Sequence, residues 1–177
     1  MSMFPIEHRS ALGSKPPILS TDVTLTALPE GLVLQALSAT GSGNVAGIIV
    51  AALECDALAV RSMSPGQYFI VGDEIGSPGD PVDILHKLKP HADVVDQSHG
   101  RVRIAISGAK AALVLAKGTA VDLDLNVFPV GHATTTLIGH IAVGITRTAE
   151  LEFELMVLRG FAESLWDELA ELSLEYR

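Results

Sequence analysis

The fold turns on ATTTLIGHIAVGITRTAELEFELMVL, residues 133–158, followed by Arg159-Gly160-Phe161 and a long polar-apolar alternation to the C-terminus. Three strands read out of this run, Ala133 to Ile138, His140 to Arg147 and Glu152 to Leu158, rich in β-branched residues and separated by short polar or glycine breaks. From Gly160 on, Phe161, Leu165, Leu169, Leu172 and Tyr176 fall at helical spacing with Ala162 and Trp166 beside them, while Glu163, Asp167, Glu171 and Glu175 take the other face. A strand series closed by one amphipathic helix predicts a helix docked on antiparallel sheet.

Upstream the same alternation of elements continues. Arg101 to Ser107 alternates Val102, Ile104 and Ile106 against Arg101, Arg103 and Ala105, and Ala92 to Asp96 precedes it across a Ser98-His99-Gly100 turn. Gly108 leads into an alanine-rich helix over Ala109 to Ala116, stopped by Lys117-Gly118. Asp80-Pro81 opens a helix to about Lys89, and Ser64-Pro65-Gly66 joins strands at Ala59 to Met63 and Gln67 to Val71 into a hairpin. Strands at Thr21 to Thr26 and Leu32 to Leu37 and a buried helix over Val45 to Leu58 complete the list. The order predicts an α+β fold, antiparallel sheet with helices packed on it. Residues 1–20, with Pro5, Pro16 and Pro17, read as an extended N-terminal arm; residues 21–177 read as a single α+β domain, with two fused halves meeting near residue 90 as the other option.

The chain has 177 residues, 48% of them hydrophobic, and a formal charge of -9, which disfavours phosphate backbones and anionic lipid. Aromatics at 5% leave no stacking platform for nucleic-acid bases. A single cysteine, Cys55, excludes an internal disulfide and suits a reducing, cytoplasmic setting; its acidic neighbours Glu54 and Asp56 disfavour a thiolate. The apolar run Val45 to Leu53 is too short to span a bilayer, and the N-terminus has no signal-peptide core.

Several chemical motifs dissolve on inspection. Gly41-Ser42-Gly43-Asn44-Val45-Ala46 fits a dinucleotide-binding pattern, but the following strands form a hairpin where the motif needs a parallel unit, so a plain glycine turn is preferred. His86, His91 and His99 with Asp93 and Asp96 match no ligand spacing for a metal, and Asp96, Ser98 and His99 are too close in the chain to converge as a triad. No catalytic residue and no metal ligand is assigned. Arg101 and Arg103 share one side of their strand, where they face solvent or receive carboxylates.

Asp96-Gln97-Ser98-His99-Gly100-Arg101-Val102 followed by Ile106-Ser107-Gly108-Ala109 resembles the D-x-S-H … S-G segment of the folate-binding aminomethyltransferase superfamily. Lys117-Gly118 before Val121-Asp122-Leu123, then Phe128-Pro129-Val130-Gly131, Phe153-Glu154-Leu155 and the run Arg159 to Trp166 are similar to the gamma subunits of heterotetrameric sarcosine oxidases, as is Arg9-Ser10-Ala11-Leu12 in the arm. The chain departs from the catalytic relatives at Arg147-Thr148-Ala149-Glu150-Leu151-Glu152, which lacks their glycine-rich turn, and at Thr119-Ala120, which replaces the cysteine of the iron-sulfur maturation branch.

The resemblance implies a non-catalytic scaffolding subunit of a cytoplasmic complex that oxidatively demethylates sarcosine to glycine. It implies alpha, beta and delta partner subunits carrying FAD, FMN, NAD and tetrahydrofolate, with no cofactor on this chain. Interface residues are then expected at Arg9, Arg101, Arg103, Arg159, Phe161 and Trp166, which supply the arginine and aromatic character of binding hot spots; the apolar stripe also allows Trp166 as core. The alternative is a free-standing folate or one-carbon-unit binder with Asp96, Arg147 and Glu152 near its ligand.

Overall fold

The computed structural model describes residues 9–38, 43–73 and 80–177. The Gly41-Ser42 half of the glycine motif and most of the glycine- and proline-rich stretch after Gly72 lie outside them. Ten strands are described: β1 (Ile18–Leu19), β2 (Thr24–Ala27), β3 (Leu32–Leu37), β4 (Val60–Ser64), β5 (Gln67–Gly72), β6 (Asp93–Asp96), β7 (Arg101–Ser107), β8 (Ala133–Ile138), β9 (Ile141–Ala149) and β10 (Glu152–Leu158). Four α-helices accompany them: α1 (Val45–Leu53), α2 (Pro81–Leu88), α3 (Ala111–Ala116) and α4 (Ala162–Leu172).

The strands form two sheets, one of six in the order β1-β2-β7-β10-β9-β8 and one of four in the order β4-β5-β3-β6. Every pairing is antiparallel, so the expected α+β class with antiparallel sheet is what the chain adopts. β6 and β7, neighbours in sequence, belong to different sheets, and the Gln97–Gly100 turn is where the chain crosses between them.

Alternation along each strand sets the layers. Val102, Ile104 and Ile106 of β7 and Phe153, Leu155 and Val157 of β10 pack with Val114 and Leu115 of α3 and Leu165, Trp166 and Leu169 of α4. On the four-stranded sheet, Leu34, Ala36 and Ile70 pack with Ile49 of α1 and Ile84 and Leu88 of α2. The two remaining sheet faces meet through Val33, Met63, Phe69, Val71 and Met156. The result is a helix-sheet-sheet-helix stack, in which each fully buried large side chain contributes roughly 1.5–3 kcal/mol.

Local chemistry explains the element ends. Asn44 caps α1 by accepting from the Gly47 amide at 3.0 Å, and Asp80 caps α2 by accepting from Val82 at 2.8 Å. Helix α1 stops at Leu53, short of the expected Leu58, because Glu54 takes a left-handed conformation with φ 51° and Asp56 then accepts from the Leu58 amide to start a separate turn. Helix α4 begins one residue after Phe161, which sits in a preceding 3-10 turn and is 53% exposed, so Phe161 leaves the buried stripe. Gly108 has φ 116°, and a Cβ there would strike the Asp22 carbonyl.

Candidate functional site

Between the sheets lies a charge cluster. Arg61 of β4 donates to Glu154 of β10 through Nε at 3.4 Å and Nη2 at 3.2 Å, and Arg103 of β7 donates to the same carboxylate at 3.2 Å. The second Arg103 nitrogen reaches the Asp73 carboxylate and the Pro29 carbonyl. All three central residues are buried, Arg103 at 4% exposure: of the two readings open for its side of the strand, it receives carboxylates and does not face solvent, because that side of β7 is covered by the four-stranded sheet. Arg101 is drawn into the same layer, its guanidinium 5.2 Å from the centre of the Phe69 ring, and burial pushes its pKa down. Arg61 Nη1 and Arg101 Nε have no hydrogen-bond partner among the described residues. Such a cluster fixes how the sheets dock.

The arm is tied down by a second ion pair. Arg159, just after β10, donates to Glu30 at 3.0 Å and also to the Arg9 carbonyl, while Glu30 accepts from the Ala11 amide at 3.1 Å. Burial alone would raise the Glu30 pKa, but the Ala11 amide, Arg159 and Ser10 outweigh it and hold the carboxyl below its usual range. Of the residues expected at an interface, Arg9 and Arg159 thus meet each other inside this chain. Trp166 is 3% exposed in the core beneath α4, because its ring faces the sheet beside Leu165 and Leu169. Phe161 stays exposed, as does Leu158 three residues before it.

Beside α3 the surface opens into a groove of about 400 Å³. Its back wall is Arg147 of β9, whose ring neighbour Phe153 lies 4.3 Å from the guanidinium. Arg147 Nε donates to the Phe128 carbonyl at 2.6 Å, and its other two nitrogens donate to the carbonyls of Leu123 and Glu150. Burial lowers its pKa, against the opposing charges of Asp124 and Glu150. One side chain therefore staples the loop after α3 to the β9–β10 turn.

The three residues expected around a folate do not share this groove. Asp96 lies on β6 in the other sheet, exposed, where it accepts from the Ser98 amide at 2.8 Å; the Ser98 hydroxyl and amide hold its carboxyl low. Glu152 is exposed and accepts from the Thr148 hydroxyl at 2.8 Å. Arg147 spends three of its five N–H groups on carbonyls, and with Asp96 on the other sheet the three residues do not come together in one pocket. The Asp96–Ser98 contact is the turn cap that their spacing suits.

Among the described residues no three of His, Cys, Asp and Glu form a metal-holding group, and no helix is long and apolar enough to cross a membrane. Burial, with a smaller push from Asp56, raises the Cys55 pKa. Sequence reasoning missed Arg61 and Glu154. A signal existed: each is a charge beside an apolar neighbour inside a strand, Val60-Arg61 and Phe153-Glu154-Leu155, and the two are opposite in sign.

Two back-to-back antiparallel sheets with helices outside define a class of domain, and the family described as the GCVT N-terminal domain matches residues 49–177. The glycine cleavage system aminomethyltransferase T from Bartonella henselae superposes with a TM-score of 0.60 at 17% identity, covering 84% of this chain and 45% of that one. A chain of the heterotetrameric sarcosine oxidase from Corynebacterium sp. U-96, in complex with pyrrole 2-carboxylate, gives 0.80 at 22% identity over 96% of both chains. In sequence, sarcosine oxidase subunit gamma of Corynebacterium sp. (strain U-96) is 30% identical over 159 residues, 87% of this chain and 77% of that protein. The chain belongs to the sarcosine oxidase gamma-subunit family, within the wider GCVT N-terminal domain family. The resemblance carried by residues 96–166 is borne out.

Proposed function

We propose that this chain is the gamma subunit of a heterotetrameric sarcosine oxidase and that it scaffolds the complex without catalysing the reaction itself. The observation that carries this reading is the 30% identity to a sarcosine oxidase gamma subunit across 77% of that protein's length. Its partners are then alpha, beta and delta subunits, which hold FAD, FMN, NAD and tetrahydrofolate in the cytoplasm and convert sarcosine to glycine. The side chains agree with a scaffold: the buried arginines hold Glu154, Asp73 and backbone carbonyls, and Arg147 spends its three nitrogens on tying loop carbonyls together. Phe161, of the expected interface residues, presents apolar surface just after β10, next to the Arg159–Glu30 tie, and Leu158 at the end of that strand adds to it.

Affinity purification of the tagged chain from its host tests the reading. Two large subunits and one small one should co-elute with flavin absorbance and sarcosine oxidation. A colourless chain eluting alone overturns it.

A further inference from the structure

The geometry points to the groove at α3 as a docking site for a segment of a partner subunit that carries an aliphatic or aromatic side chain flanked by lysine or arginine. This rests on the gamma-subunit reading and adds to it the surface and the chemistry of the contact.

Three observations carry it. The groove has an apolar lining that solvent reaches: Leu113 of α3, Leu125 of the loop and Leu151 of the β9–β10 turn all line it and are all exposed. Small residues, Gly108, Ala109, Ala112 and Ala116, make up its α3 side, so a side chain or a stretch of backbone can approach the helix closely. Its rim is acidic, with Asp122, Asp124 and Glu150, on a chain whose net charge is already -9, while the one guanidinium present, Arg147, is buried and bound to three carbonyls. Apolar lining and acidic side chains together are complementary to a cationic amphipathic segment.

The groove is also preformed. Arg147 links the Leu123 carbonyl on one side of the groove to that of Glu150 on the other, and also holds the Phe128 carbonyl behind the loop, so the two sides are joined before a segment enters. A site that is rigid before binding loses less entropy on association.

The experiment uses the complex purified through the tagged chain. Leu113→Glu with Leu125→Glu, and separately Asp122→Lys with Glu150→Lys, should each weaken retention of the partner subunits by about tenfold or more. Val82→Glu, exposed on α2 in the opposite outer layer, should leave retention unchanged. Thermal melts of the free variants report whether they fold. As a second measurement, a photo-crosslinking residue at Leu113 should join to a segment of another subunit that contains an apolar residue beside lysine or arginine. Folded variants that assemble as the wild type does, or a crosslink absent or formed to a second copy of this chain or to an uncharged segment, overturn the groove while leaving the gamma-subunit reading intact. A wild-type chain that retains no partner overturns both.

Discussion

On β10, Phe153, Leu155 and Val157 turn toward α3 and α4 into an aliphatic core, whereas Glu154 and Met156 turn toward the four-stranded sheet and meet Arg61, Arg103 and Met63. The two faces are one residue apart and equally buried, yet opposite in chemistry. The outer face needs only apolar volume of the right shape, since helices α3 and α4 can settle against it by many small contacts. The inner face joins two sheets that could slide over one another, and its few apolar contacts, among Val33, Met63, Phe69, Val71 and Met156, do not by themselves fix one position. A carboxylate shared by two guanidiniums does so directionally, at the cost of desolvating three charges.

The largest effect should come from breaking that shared carboxylate. Glu154→Leu leaves Arg61 and Arg103 buried without their common partner and should cost about 3–5 kcal/mol in urea unfolding of the free chain. On the outer face Leu155→Ala should cost about 2–5 kcal/mol through its cavity. The two faces separate on rescue: adding Arg61→Met and Arg103→Met to Glu154→Leu should restore most of the lost stability, because neither guanidinium is then left buried without Glu154. If the triple variant stays as unstable as Glu154→Leu, the cluster is not an ionic lock and the contrast between the faces collapses.

A smaller effect probes how closely the sheets approach. At Gly144 of β9 a Cβ would lie 3.0 Å from the Met63 methyl and 3.1 Å from its sulfur. Gly144→Ala should therefore cost only about 1 kcal/mol, at the low end for overpacking, because a thioether can turn aside. In a Met63→Ala background the same change should become neutral or stabilising, as expected for replacing glycine within a strand. A double-mutant cycle by thermal unfolding measures the coupling, and additive costs would place Met63 and Gly144 out of contact.

The contrast also explains what the sequence could reveal. The outer faces were legible: periodicity in Val102, Ile104 and Ile106 and in Leu165 and Leu169 marks a single buried side, and the antiparallel class follows from the strand series over residues 133–158. The inner face was not, because Arg101 and Arg103 look like solvated positions until a second sheet is known to cover them. Which sheet a strand joins is a long-range fact, and β6 and β7, adjacent in sequence, go to different ones. Phe161, read on the apolar stripe and at an interface, is exposed, while Trp166, open as interface or core, is core. Helical spacing fits both, and only the turn over Arg159–Phe161 decides which ring faces the core. At the candidate site, Arg147 was legible as a residue of note, but its partners are backbone carbonyls, which carry no sequence signal.

The smallest effect sets the buried cluster against the half-exposed ion pair of the arm. Glu30 accepts from Arg159 and from the Ala11 amide, and its folded pKa lies below the ordinary value of 4.5. A depressed carboxyl contributes stability that is fully present above its unfolded pKa and is lost as pH falls through the folded one. Glu30→Gln keeps an oxygen for the Ala11 amide and removes the charge, so it should destabilise the chain by at most about 1 kcal/mol at neutral pH, the range of partly exposed pairs. That difference should shrink as the medium is acidified below the usual carboxylate range, and added salt should shrink it at neutral pH. Denaturant melts of both proteins across that pH range read the difference. A gap between wild type and Glu30→Gln that stays constant with pH would mean that the arm is held by packing of the buried Leu12, with the ion pair contributing nothing to it.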